Sequence, residues 1–203
     1  MFLNKDNLDE YLEKLYNEVV ALNRNTSLCV DIYIMGGSAI MLNNRFREST
    51  MDIDAYIRST LDLSKPIVKV AEKNDLPKDW LNTNVTVTQS FTKRLLPYFK
   101  VYKRVSDKFT VYVINNLAQV CMKLVSFRID SSDVTDIKGI VEEGFDYSYD
   151  DVIKAIEKIY GDSDVISVDA QLFIYNLLSN RHSDLSDKAR LMRDLADKLL
   201  TFI

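Results

Sequence analysis

Two short stretches carry residue types that could do chemistry: Gly36-Gly37-Ser38 and Asp52-Ile53-Asp54. The chain has only five glycines, and two of them stand side by side between a predicted strand and a predicted helix. A residue without a Cβ lets the backbone approach a ligand closely. The N-terminus of the helix that follows offers unpaired N–H groups and a positive dipole end, which suit a phosphate. Ser38 adds a hydroxyl donor at that start. Taken alone, the glycine pair fits a tight strand-to-helix turn equally well. The acids narrow the reading. At i and i+2 of one strand both carboxylates project from one face, and two like charges side by side are unfavourable unless solvated or bridged by a cation. An oxygen-only pair suits Mg²⁺ (or Mn²⁺), an ion that also takes oxygens from a nucleoside triphosphate. The alternative is two scattered acids on a solvent-facing edge strand, which leaves the glycine turn one short helix upstream unexplained.

These residues need elements to hold them. Residues 28–35 are mostly apolar and rich in β-formers, predicting a strand buried on both faces. Residues 38–44 read as a short helix. Residues 51–58 read as a strand on which Met51, Ile53, Ala55 and Ile57 point one way and Asp52, Asp54, Tyr56 and Arg58 the other. Upstream, residues 6–22 form an amphipathic helix, with Leu8, Tyr11, Leu12, Leu15, Tyr16, Val19 and Leu22 at helical spacing, and 23–27 a polar turn. Downstream, 61–74 is predicted helical despite Pro66, 85–88 is predicted a strand, and 98–105 with 108–114 a hairpin turning at Ser106-Asp107. From Asn115 onward the pattern is helical: 117–125, 134–141, a helix opened by the capping-box-like Ser148-Tyr149-Asp150-Asp151 and closed at Gly161, then 167–178 and 183–200. The expected organisation is α+β, with an α/β domain over residues 1–115 and a helical domain over 116–203 packed against it.

Composition bounds the function. With 203 residues, 47% hydrophobic and 28% charged, bulk disorder is excluded. A chain this long buries roughly 70% of its unfolded surface and needs no disulfide or structural metal to fold. Lys+Arg 26 against Asp+Glu 30 gives a net charge of -4, which disfavours a duplex-coating protein and leaves room only for a local basic face. Cys29 and Cys121 lie in apolar runs and read as two reduced, buried thiols. A single histidine and no CxxC argue against a zinc site, and His182, in a polar Asn-Arg-His-Ser turn, reads as a surface residue. No apolar stretch reaches membrane-spanning length, and Asn4, Lys5, Asp6 and Asp9 stand where a signal-peptide core would be. The expectation is a soluble, cytoplasmic protein with no membrane partner.

Gly36-Gly37-Ser38, a helix, then Thr50-x-Asp52-x-Asp54 flanked by apolar residues resembles the signature of the DNA polymerase β-like nucleotidyltransferase superfamily. More narrowly, the chain resembles the small bacterial nucleotidyltransferases related to the AbiEii and MenT toxins. Trp80-Leu81-Asn82, Met122-Lys123-Leu124, Arg128 and Asp133-Val134-Thr135-Asp136-Ile137 continue the resemblance. It implies a nucleotidyltransferase fold, a mixed β-sheet flanked by helices, followed by a C-terminal helical bundle. It implies transfer of a nucleotide from a nucleoside triphosphate to an RNA (tRNA included) or a protein acceptor, and extends to the toxin of a toxin–antitoxin pair with an antitoxin protein as partner. By the same resemblance, Asp52 and Asp54 hold the metal, while Gly36, Gly37 and Ser38 hold the phosphates. Lys123 then reaches across from the helical half to neutralise triphosphate charge, and Asp136 completes the site or positions Lys123. Such chemistry depends on positioning and charge more than on a special nucleophile.

Asp133 follows Ser131-Ser132 and reads as a helix cap. Arg45 and Arg47 are either phosphate contacts or part of a solvated loop. Lys100, Lys103 and Arg104 with Tyr98 and Tyr102 make either a basic-aromatic face for RNA or an exposed strand face. Many enzymes of the superfamily use a third carboxylate on a later strand, and the sequence places none: 85–88 offers threonines, 98–105 lysines and an arginine. That gap keeps open a catalytically inactive nucleotide-binding or regulatory module on the same fold. A sugar transferase using the Asp-Ile-Asp element is disfavoured by the early glycine turn and the helical second half.

Overall fold

Six consecutive buried residues make Val30–Met35 (β1) the centre of a five-stranded mixed sheet. The computed structural model describes residues 2–22, 28–129 and 131–179; the expected turn at 23–27, His182 and the expected helix 183–200 lie outside them. Helix α1 (Lys5–Leu22) precedes β1, and α2 (Gly36–Asn43) follows it directly. Then come β2 (Ile53–Ser59), α3 (Ser64–Asn74), β3 (Leu81–Asn82), β4 (Phe99–Ser106) and β5 (Phe109–Ile114). Helices α4 (Asn116–Val125), α5 (Ser132–Glu142), α6 (Tyr149–Tyr160) and α7 (Val168–Ser179) complete the described chain. The strand order is β3-β2-β1-β5-β4. β1 is antiparallel to β2 and parallel to β5, β2 is parallel to β3, and β4 is antiparallel to β5.

Alternation sorts the strand residues onto two faces. One face carries Ile32, Ile34, Ile53, Ala55, Val111 and Val113, all fully buried or nearly so. Helices α1 and α3 cover it: Tyr16 packs edge-on against Phe109, Tyr11 against Trp80, and the Trp80 indole N–H donates to the Ile67 carbonyl. Each aliphatic side chain removed from water there contributes about 1.5–3 kcal/mol. Pro66 sits in the first turn of α3, where a missing N–H costs no intrahelical bond. The other face carries the cross-strand pairs Met35–Asp54, Tyr33–Tyr56 and Asp31–Arg58, and continues onto Tyr112, which stacks on Tyr33 at 4.6 Å. Helices α4 to α7 share one continuous buried cluster with the sheet, through residues such as Leu124, Ile137, Ile156 and Ile174. Among the described residues no helix is long and apolar enough to cross a membrane.

Several expectations are corrected. Residues 85–88 are not a strand: Asn84–Val87 form a 3-10 turn, because Asn82 Oδ1 accepts the Asn84 N–H and the Thr86 and Thr88 hydroxyls donate back to nearby carbonyls. The proposed basic-aromatic face is partly consumed within the fold. Lys103 pairs with Asp9 and Glu13 of α1, and the Tyr102 hydroxyl donates to Asp9. Cys29 is exposed, since it stands just before β1; Cys121 is buried, and burial pushes its thiol up to about 12. The capping box forms as read, with Ser148 and Asp151 exchanging side-chain and backbone hydrogen bonds, and α6 closes on Gly161.

Candidate active site

The register of β1 against β2 sets Met35 opposite Asp54, so the next residue, Gly36, must pass beside the Asp54 side chain. Gly36 adopts φ +68°, and a Cβ there would come within 2.8 Å of Asp54 Oδ2. Conformation and space both call for glycine. Its N–H donates to Gln119 Oε1 at 3.0 Å. Helix α2 begins at Gly36 itself, so the two glycines form its first turn instead of a loop before it. No side chain caps that end, which leaves first-turn amides without an intrahelical partner. The Ser38 hydroxyl is buried and donates back to the Met35 carbonyl. What Ser38 offers at the helix start is its amide.

Asp54 lies on β2, and Asp52 one residue ahead of the strand. Strand β3 runs alongside with Asn82 opposite Asp54, and Asn82 Nδ2 donates to Asp52 Oδ2 at 3.2 Å. Burial first, and the Asp52 charge second, hold the Asp54 carboxyl above the ordinary carboxylate range; the Asn82 amide and the Lys123 charge oppose the shift. Two neighbouring carboxylates of like charge make a place where a divalent cation would relieve repulsion. Among the described residues no group of three or more His, Cys, Asp or Glu side chains is placed to hold a metal. Asp52 and Asp54 offer two carboxylates, a set that would fit Mg²⁺, an ion commonly held by one or two carboxylates plus phosphate oxygens. β3 pairs with β2 and presents an amide beside the acid pair, not a third carboxylate.

A buried ion network stands next to the glycine turn. Lys123 Nζ lies 2.8 Å from Asp133 Oδ1 and 2.9 Å from Asp136 Oδ2. Arg47 Nη1 donates to both Asp136 oxygens at 2.9 and 3.0 Å. The Arg47 guanidinium also covers Gly37, where a Cβ would come within 2.6 Å of Nη2. The Lys123, Asp133 and Asp136 side chains are 11%, 9% and 7% exposed, so each charge depends on its partner. Asp133 is not the cap of α5: Ser131 accepts its N–H and caps the helix, which frees the Asp133 carboxylate for Lys123.

The structure thus brings together Gly36, Gly37, Asp52, Asp54, Lys123, Asp136 and Arg47. It leaves Arg45 and Arg128 exposed, with Glu143 accepting the Arg45 backbone N–H and the Ser131 hydroxyl donating to the Arg128 carbonyl. Two residues were not read from composition or spacing. Gln119 lies one turn before Lys123 on the same side of α4, a helical i, i+4 spacing that could have paired them. Asn82 was noted only for its resemblance, since nothing local announces its partner on β2.

A mixed sheet with a glycine-started helix against an acid pair defines a nucleotidyltransferase-like protein. The chain belongs to the family described as "Nucleotidyltransferase of unknown function (DUF6036)", whose model matches residues 10–190. Membership gives it a role in nucleotidyl transfer in general terms, and a nucleotide as substrate. No curated protein and no solved structure matches the chain.

Proposed function

We propose that this protein transfers a nucleoside monophosphate from a nucleoside triphosphate to an RNA or protein acceptor, with Mg²⁺ (or Mn²⁺) held by Asp52 and Asp54. The observation that supports it most is the contact of Gly36 with Asp54, which makes the phosphate-accepting helix start and the acid pair one structure. An acceptor oxygen attacks the α-phosphorus, the bond from that phosphorus to the oxygen bridging to the β-phosphate breaks, and pyrophosphate leaves. The metal, when bound, supplies neutralisation of phosphate charge. The chain's own residues supply the rest: α2 first-turn amides bind phosphate oxygens, and Lys123 and Arg47, presented by Asp136, face the negative charge. The resemblance to the AbiEii and MenT toxins extends the reading to a toxin restrained by an antitoxin protein.

The test is incubation with each of four labelled triphosphates, Mg²⁺ and total RNA or lysate. Label should appear on an acceptor and vanish in Asp52→Ala while circular dichroism is unchanged. Full transfer by that variant rejects the proposal. Asn82 opposite Asp54 favours one second reading, an inactive nucleotide-binding or regulatory module. That module would gain thermal stability from nucleotide without releasing pyrophosphate, and single-turnover release of pyrophosphate excludes it.

A further inference from the structure

Asp52 accepts a hydrogen bond from a donor on the neighbouring strand, and the orientation of that donor is fixed. Asn82 Oδ1 accepts the Asn84 backbone N–H at 2.9 Å, so its oxygen is engaged with the chain after β3. The opposite side of the amide, Nδ2, therefore faces Asp52 Oδ2 at 3.2 Å, and the Asp79 carbonyl lies 3.4 Å from the same nitrogen. Asn82 thus offers the site hydrogens, not a ligand oxygen. Its place is set by the parallel pairing of Asp54 with Asn82 and by Trp80, whose buried indole anchors the approach to β3.

We infer that Asn82 is a positioning residue that holds Asp52 through its amide, so that a divalent cation binds tightly only together with the triphosphate. The inference rests on the reading of Asp52 and Asp54 as metal ligands. Two protein carboxylates make a weak site for a hard cation by themselves, and phosphate oxygens complete it. An acid at position 82 would set a carboxylate against Asp52, a repulsion that a cation alone would relieve. The amide keeps Asp52 aimed without asking for that cation.

The experiment is Mn²⁺ titration followed by electron paramagnetic resonance, with and without a non-hydrolysable triphosphate analogue. It compares the wild-type chain, Asn82→Asp, Asn82→Ala and Asp52→Ala, each checked by circular dichroism and melting temperature. The wild type should bind Mn²⁺ weakly alone and about ten-fold or more tightly with the analogue. Asn82→Asp should bind Mn²⁺ alone about ten-fold more tightly than wild type, and its melting temperature should rise on Mn²⁺ addition. Asn82→Ala should bind Mn²⁺ with the analogue about ten-fold more weakly, the effect of losing one hydrogen bond to a charged group. Wild-type behaviour by either variant in its arm overturns the inference; if Asn82→Asp does not fold, the Asn82→Ala arm decides. If the wild type binds Mn²⁺ with the analogue no better than Asp52→Ala, the metal-site reading falls as well. If that binding depends on Asp52 but the Asn82 variants match wild type, only the role of Asn82 falls.

Discussion

The two faces of the sheet treat charge in opposite ways. Beneath α1 and α3 the central strands present mostly apolar side chains, and the charges stand at the rim: Glu18 between Lys69 and Lys73, Lys103 between Asp9 and Glu13. Solvent screens such pairs, so each contributes little. The opposite face gathers buried and half-buried charges beside the start of α2. Asp54 sits beside Asp52, and Lys123, Asp133 and Asp136 lie together with Arg47 against the start of α2. In that ion network each group is held by another, and removing one strands its partner. The first face is where the fold gains its stability; the second spends some of it on a prearranged cluster of charge, the usual trade at sites that act on ligands.

That contrast can be broken at several points. The largest effect is expected at Asp54→Asn, which should lower nucleotide transfer by about a thousand-fold or more and yet raise the melting temperature of the metal-free protein. The sign follows from the raised Asp54 carboxyl. Between its ordinary value and its folded value the native state holds more protons than the unfolded chain, so stability falls as pH rises through that window. The gain from the amide should therefore be present above the window and vanish below it, as thermal melts across a pH series would show; a variant less stable at neutral pH would contradict the charged-face picture.

Asp136→Ala leaves Lys123 with Asp133 alone and Arg47 without its carboxylate, and should cost about 3–5 kcal/mol in urea unfolding. Ile34→Ala on the apolar face should cost a comparable 2–5 kcal/mol, roughly. The two should part in activity: transfer per folded molecule should drop in the Asp136 variant and hold in the Ile34 variant. Gly36→Ala meets both a positive φ and the Asp54 carboxylate, and should cost about 1–3 kcal/mol together with most of the nucleotide-induced thermal shift. The smallest effect belongs to the rim. Lys103→Ala should cost about 1 kcal/mol or less, diminishing in high salt, with transfer unchanged; a larger loss would show that the rim pairs are not screened.

Much of this was legible in the residues. The amphipathic period of α1, the apolar run of β1, the alternation through β2 and the capping box of α6 all predict the elements observed. The glycine pair and the two acids were legible as a candidate site because their chemistry is local. Residues 85–88 were misread because β-branched threonines that favour strands also bond back to nearby carbonyls once Asn82 starts a turn. Lys103 and Tyr102 looked free on their strand, since Asp9 lies 93 residues away from Tyr102. Arg47 finds Asp136 across 89 residues, and Gly36 finds Gln119 across 83.

By itself the sequence determined the local order of helix and strand and the inventory of candidate groups for a cation and a phosphate. Periodicity, capping and side-chain chemistry act over a few residues and need no fold to express them. Only the tertiary structure decided that Gly36 lies against Asp54, that Asn82 faces Asp52, and that Lys123 is shared by two aspartates. Those choices depend on strand order and register, which are settled when separate elements bury their apolar faces together, and no local pattern carries that information.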